Sequence, residues 1–400
     1  MGAKNLHYFR QTITWCFLPN HPSGAVMNPV ELTTEFVSYH SSSYLSNADV
    51  SFAMEKRMRQ AGLVVERVTY TDGAGVLKVN LVGKKGKGTG GLALMGHNDC
   101  VPAQGWAWDP FKVIQKGDRI FGRGVADMKG SVACMIAAAQ RFSAKELKSP
   151  IYVVVTADEE INCLGADCVY RQSKVLKESK VRYGIIGEPT QLDVVYAHKG
   201  SVKIAVTSKG KAAHSSTGKG KNANHKLVPF LSEILDIDSE LQNNPKYLNK
   251  AFNPPHSTLN MVIHGGEQAS NITTPISGAT INMRAMPGQN LDPLLSRVRS
   301  LAKKHGVSVT IKDFLKPLNT PLESRIVQEA LKVTRKHKPK TVPYGTDGMI
   351  FGQNMELVVL GPGNIAQAHT IDEWIAIEQL HKGVDVFSAM IKRFCIENPD

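Results

Sequence analysis

Cysteine is scarce in this chain. Six residues (Cys16, Cys100, Cys134, Cys163, Cys168 and Cys395) are spread over 400 positions, and none forms a Cys-x-x-Cys pair. That spacing excludes a zinc ribbon and a redox dithiol. Scattered thiols suit a reducing compartment, so a cytoplasmic location is expected. No apolar run reaches the ~18–20 residues of a membrane-spanning helix, so no membrane partner is expected. Low-complexity tracts are missing too, and 42% of residues are hydrophobic against 21% charged, which disfavours disorder. Acid is short relative to base: 35 Asp and Glu face 48 Lys and Arg, a net charge of +13. Such an excess raises the question of nucleic acid.

The position of the charge answers it. Between 196 and 316, sixteen Lys and Arg stand against seven Asp and Glu, so nine of the thirteen excess charges lie in one segment. Residues 83–91 carry three lysines and superficially suggest a phosphate loop. No Ser or Thr follows a Gly-Lys pair there, and a strand follows rather than a helix. The stretch is expected to be a basic hairpin tip, and no nucleic-acid partner is expected.

The length predicts two or three domains. Residues 1–26 contain Lys4 and Arg10 but no acid, and their apolar stretch is short and broken for a signal segment. They are expected to be a disordered extension before Met27. Periodicity then predicts helices over 28–40 and 49–60, strands over 63–70, 77–82 and 91–95, a helix over 130–142, a strand over 151–156, a helix over 166–176 and a strand over 183–186. Strands alternating with helices predict an α/β fold with a mixed, largely parallel sheet flanked by helices. From 196 to 316 the order becomes strand, helix, strand, strand, helix, strand, which is the order of a ferredoxin-like α+β unit. The α/β pattern resumes over 317–400, with a helix at 324–336, a strand at 355–360 and a closing helix at 378–395. A first domain (27–195 and 317–400) interrupted by an insertion (196–316) is therefore expected.

Several polar groups follow predicted strands. His97 and Asp99, in Gly96-His97-Asn98-Asp99, sit two residues apart, and alternate residues of an extended chain point the same way. A metal-bound imidazole needs its second nitrogen anchored, and a carboxylate does that. Asp127 stands in Gly122-Arg123-Gly124-Val125-Ala126-Asp127 where a dinucleotide fingerprint requires Gly or Ala, so that loop is rejected. Asp127 is either a helix N-cap or a metal-bridging carboxylate. Asp158-Glu159-Glu160 follows an apolar strand, where one acid can bind metal while its neighbour moves a proton. Glu188 and His369 complete the set. Acids and imidazoles beyond the carboxyl ends of strands lie where open α/β sheets bind ligands. Two His and three carboxylates without Cys suit a pair of divalent ions, zinc first, with cobalt or manganese as alternatives.

These motifs, with Trp106-x-Trp108-Asp109-Pro110-Phe111, Ile185-Ile186-Gly187-Glu188-Pro189-Thr190 and Ala197-His198-Lys199-Gly200, occur in the order found in dinuclear zinc N-acyl-amino-acid deacylases and carboxypeptidases. The chain resembles that family over residues 28–396. The runs 257–266 and 360–369 look most like the branch that deacetylates N2-acetyl-L-ornithine to L-ornithine in arginine biosynthesis. Succinyl-diaminopimelate desuccinylases, dipeptidases and other N-acyl deacylases share the chemistry. The resemblance implies that His97 and Glu188 bind one ion, Glu160 and His369 the other, and that Asp127 bridges them. It makes Asp99 the orienter of His97 and Glu159 the general base. It makes the insertion a lid and dimerisation domain. His214 would stabilise an oxyanion, often in the partner subunit, and Asn271 and Arg284 would contact substrate. It implies a homodimer acting on a small N-acylated amino acid with two zinc or cobalt ions. Asp347 is the feature associated with the substrate amine, and Cys100 is expected to be a buried, inert thiol.

Overall fold

The computed structural model describes residues 26–265 and 269–397; apart from Val26, the extension expected over 1–26 lies outside them. A nine-stranded sheet forms the body. Its order is Val64–Thr71, Leu77–Lys85, Ile151–Thr156, Leu92–His97, Tyr183–Ile186, Glu356–Val359, Val195–His198 and Leu318–Asn319, with Lys340–Val342 also on Val195–His198. Leu92–His97 runs parallel to both Ile151–Thr156 and Tyr183–Ile186, and Glu356–Val359 runs parallel to Tyr183–Ile186. The outer strands Val64–Thr71 and Leu77–Lys85 are antiparallel. The sheet is thus mixed, with a parallel centre.

The central strands are continuous apolar runs because both faces are covered. On one face lie the helices Pro29–Val37, Lys129–Gln140 and Ile377–Lys392; on the other lies Leu164–Gln172. Lys129–Gln140 is buried over nearly its whole length, and its Gly, Ala, Ser and Cys residues allow close approach to the sheet. The first helix is capped by Asn28, whose side chain accepts from Val30 N, and begins at Pro29.

Two expectations are corrected. Residues 83–91 are not a basic hairpin tip. The strands on either side do not pair, because Ile151–Thr156 lies between them. Lys85 is buried there, and its ammonium donates to Ala61 O and Ala139 O. The helix expected over 166–176 is two helices, Leu164–Gln172 and Lys174–Ser179. Ser173 ends the first and caps the second, and Glu66 accepts hydrogen bonds from Ser173 Oγ and the Lys174 and Val175 amides.

The second sheet belongs to an inserted α+β subdomain. Its order is Thr258–His264, Ile276–Arg284, Ser201–Lys209 and Ser308–Leu315, antiparallel throughout, as in a ferredoxin-like unit. Alternation puts Val202, Ile204, Val206, Ala279, Ile281 and Met283 on one face, where Asn224–Asn243 and Asp292–His305 cover them in a separate core. The two chain passages joining insertion and body run side by side. A Cβ on Gly200 would lie 2.4 Å from Leu315 O and 2.8 Å from Pro317 N, so only glycine fits. No helix among the described residues is long and apolar enough to cross a membrane.

Candidate metal centre

The parallel strands deliver their polar ends to one edge. His97 closes Leu92–His97 opposite Thr156, and Asp158, Glu159 and Glu160 follow that threonine. Glu188 follows Tyr183–Ile186. His369 follows Glu356–Val359 through a turn held close to the neighbouring strand, since a Cβ on Gly361 would lie 2.1 Å from Gly187 O.

The donor atoms converge. His97 Nε2 lies 3.3 Å from Asp127 Oδ1, 3.6 Å from Glu188 Oε1 and 4.0 Å from Glu159 Oε2. His369 Nε2 lies 3.0 Å from Glu160 Oε2 and 3.4 Å from Asp127 Oδ2. Asp127 therefore turns one oxygen to each imidazole. Two overlapping sets, His97 with Glu159 and Glu188, and His97 with Asp127 and Glu160, each have donor atoms within 4.8 Å of one another. His97 Nε2 is buried yet has no hydrogen-bond partner. An orphaned imidazole nitrogen facing several carboxylates fits a cation, because burial without a partner is costly for each group. Nitrogen and carboxylate donors suit zinc, cobalt or manganese.

The supports are specific. His97 Nδ1 donates to Asp99 O at 2.9 Å, while the Asp99 carboxylate is 3.5 Å away. That carboxylate accepts instead from Ser43 Oγ and from the backbone N–H groups of Glu159 and Glu160. Asp99 thus ties His97 to the turn that carries the two glutamates. Asp158, adjacent in sequence, faces away: Lys78 Nζ and Tyr70 OH each bond it at 2.7 Å. Only two of the three consecutive acids enter the site. Asp127 precedes the helix Lys129–Gln140 without capping it.

Glu373 organises the Asp127 loop from below. Its carboxylate is fully buried and accepts from Arg123 Nη1 at 2.8 Å and from the N–H groups of Gly124, Ala126 and Asp127. Glu373→Ala would leave the Arg123 charge uncompensated and three donors orphaned. We expect a loss of about 3–5 kcal/mol of stability, read by denaturant unfolding, together with weakened cation binding; an unchanged unfolding midpoint would refute that role.

Electrostatics reflects the crowding. Burial pushes Glu159 and Glu188 well above the usual carboxylate range, and burial with the Asp127 charge raises Glu160. Burial opposes ionisation of Asp127, but the two imidazoles facing it, His369 and His97, outweigh it and lower the group. His369 is raised to about 10 by its bonds to Asp127 and Glu160. Burial pushes the Cys100 thiol up to about 11.

The insertion residues stand apart. His214 is exposed, with Nδ1 2.8 Å from Ser216 Oγ, and Ser215 N donates to Asn271 O. Arg284 ends its strand near His198, whose protonation is suppressed first by burial and also by the Arg284 charge. Among the described residues, no hydrogen bond or ion pair joins His214, Asn271 or Arg284 to the metal centre. Sequence reasoning missed Lys78, Cys163 and the place of Asp347. Asp347 is buried beneath Glu159, and its Oδ2 accepts from Thr156 Oγ1 at 2.5 Å. Lys78 alone carried a signal: a lysine between the apolar Leu77 and Val79 of a strand.

Comparison with known proteins follows the same lines. The chain is 32% identical over 379 residues to an acetylornithine deacetylase of Myxococcus xanthus, covering 90% of this chain and 96% of that one. It is 35% identical over 330 residues to an acetylornithine deacetylase of Vibrio vulnificus, covering 80% and 85%. Among solved structures it resembles an M20 family metallo-carboxypeptidase from Sulfolobus solfataricus (TM-score 0.72, 17% identity, 91% and 98% covered). It also resembles a dipeptidase from Saccharomyces cerevisiae (TM-score 0.72, 16% identity, 93% and 96% covered). Residues 93–393 match the model of peptidase family M20/M25/M40. That match spans the whole donor set from His97 to His369, and with relatives of this similarity it means that the chain belongs to peptidase family M20/M25/M40, as a metal-dependent hydrolase.

Proposed function

We propose that the chain removes the acetyl group from an N-acetylated amino acid, with N2-acetyl-L-ornithine, cleaved to L-ornithine and acetate in arginine biosynthesis, as the favoured substrate. The observation that carries the chemistry is Asp127, whose two oxygens face His97 and His369 with Glu159 alongside. The curated relatives from Myxococcus xanthus and Vibrio vulnificus support the choice of substrate.

In this reading His97 and Glu188 would hold one divalent ion, Glu160 and His369 the other, and Asp127 would be shared between them. When bound, the pair, zinc or cobalt, supplies Lewis acidity, polarising the amide carbonyl and acidifying water. Glu159 takes the proton from the attacking water and delivers it to the amide nitrogen as the C–N bond breaks. Its raised affinity for a proton suits both halves of that shuttle. Asp99 positions His97 and the Glu159 turn. Arg284 holds the substrate carboxylate through a two-pronged contact, Asn271 assists, and His214, of the same or the partner subunit, steadies the oxyanion.

The body, 27–195 and 317–400, supplies the metal centre, and the insertion, 196–316, acts as lid and dimer interface. Exposed Val262 and Ile263 on its edge strand, beside exposed Val228 and Leu235 on the adjoining helix, support a homodimer. Cys100, Cys134, Cys163, Cys168 and Cys395 are free and buried, which supports a reducing, cytoplasmic setting.

The deciding experiment is a panel of N-acetyl, N-succinyl and dipeptide substrates with metal supplied. N2-acetyl-L-ornithine should show the highest kcat/KM; a higher value on a dipeptide or a succinyl substrate would reject the substrate while keeping the chemistry. A second expectation concerns pH. Glu159, Glu160 and Glu188 are raised and so hold protons further up the pH scale in the cation-free protein, and His97 and His369 are also raised. Cations must displace those protons, so affinity should rise with pH and loading should release protons. Calorimetric titration in buffers of different ionisation enthalpy measures this; a buffer-independent heat would refute it.

A further inference from the structure

Glu159 has a second set of neighbours besides His97 and Glu188. It opens the single-turn helix Glu159–Asn162, which Cys163 closes in a left-handed conformation. The Cys163 thiol is 2% exposed. Asp347, brought in from a distant helix start, completes the group: a Glu159 carboxylate oxygen, Cys163 Sγ and an Asp347 carboxylate oxygen all lie within 4.8 Å of one another. Asp347 is 3% exposed, and while its Oδ2 accepts from Thr156, its Oδ1 is buried without a hydrogen-bond partner. A buried carboxylate oxygen whose one neighbouring donor is a thiol, a weak one, is poorly compensated, and a cation would compensate it.

We propose that Glu159, Cys163 and Asp347 form a third cation site, selective for a thiophilic divalent ion such as zinc or cadmium, which inhibits the enzyme when filled. The thiol sets it apart from the hydrolytic pair, whose donors are all imidazole and carboxylate. Sulfur favours zinc and cadmium over magnesium, calcium and manganese. On binding, the Cys163 S–H proton leaves to solvent and the thiolate joins the ion. The ion also takes up a Glu159 oxygen, so that carboxylate can no longer accept a proton from water. The inhibition rests on the proposed role of Glu159; the binding does not. The site entails that zinc activates at low concentration and inhibits in excess.

The test uses the enzyme loaded with two equivalents of cobalt and freed of excess. Further cobalt or cadmium is added while the near-ultraviolet thiolate-to-metal charge-transfer band is followed, with bound metal counted by equilibrium dialysis. A band that grows with the third equivalent, and is missing in Cys163→Ser, is expected. The zinc concentration that half-inhibits should rise about tenfold or more in Cys163→Ala and in Asp347→Asn, the scale for losing a group that supports a metal. Cys163→Ala should keep the uninhibited rate. Equal inhibition of Cys163→Ala and the parent enzyme, or no thiolate band at the third equivalent, would overturn the site. If instead no N-acyl amino acid is cleaved, the proposed function fails, while the band and the dialysis count still decide the third site.

Discussion

Glu159→Gln is expected to keep its cations and to turn over substrate about 10²–10⁴-fold more slowly, the range for loss of a positioned general base. The amide preserves the size of the side chain. It also preserves the turn, because Asp99 grips the backbone N–H of residues 159 and 160 rather than the side chain. What the amide cannot do is accept a proton from water. The loss should therefore fall on kcat, with KM little changed and metal content by atomic absorption unchanged. A near-normal rate would remove Glu159 from the proton-transfer role. Loss of metal together with rate would show that Glu159 is a ligand instead.

Exhaustive chelation should abolish activity, and added zinc or cobalt should restore it. The physical reason is the donor set itself. Asp99, Asp127, Glu159, Glu160 and Glu188 crowd around two imidazoles, and burial raises three of the five carboxylates. Without cations this group holds protons that the reaction needs elsewhere. Chelation should also lower stability, since an ion bound only by the folded state at a hundred times its dissociation constant contributes about 2.7 kcal/mol. A parallel thermal melt should show the drop. Full activity after chelation, with residual metal excluded by analysis, would sink the cation requirement.

Four of the metal-centre residues were legible because they stand at or just beyond the ends of predicted strands, whereas Asp127 stands before a helix and His369 well past its strand. A strand that must be buried on both faces is a continuous apolar run, and its first polar residues mark the sheet edge. His97, Glu159, Glu160 and Glu188 all stand at such edges. The order of the strands was not legible, and the order puts them together: Leu92–His97 lies between Ile151–Thr156 and Tyr183–Ile186. Long-range charge pairing was hidden as well. Asp158, Glu159 and Glu160 look equivalent in sequence, and Lys78 and Tyr70, some eighty to ninety residues away, distinguish the first. Lys85 was misread because a lysine among glycines suggests solvent, whereas two carbonyls and a covering helix hold it inside. The break at Ser173 depends on Glu66, far back in the chain. The ferredoxin-like order of the insertion was readable because its strands alternate cleanly and its helices are amphipathic.

The paired passages at Gly200 and Leu315–Pro317 bear on ancestry. An extra segment whose ends nearly touch can enter a host gene without stretching the host fold, and can leave it through one short join. Enlarging, trimming or exchanging 201–315 would leave the sheet edge and its donors where they are. Selection could then reshape substrate choice and assembly in one stretch of coding sequence while the hydrolytic chemistry stayed fixed in another.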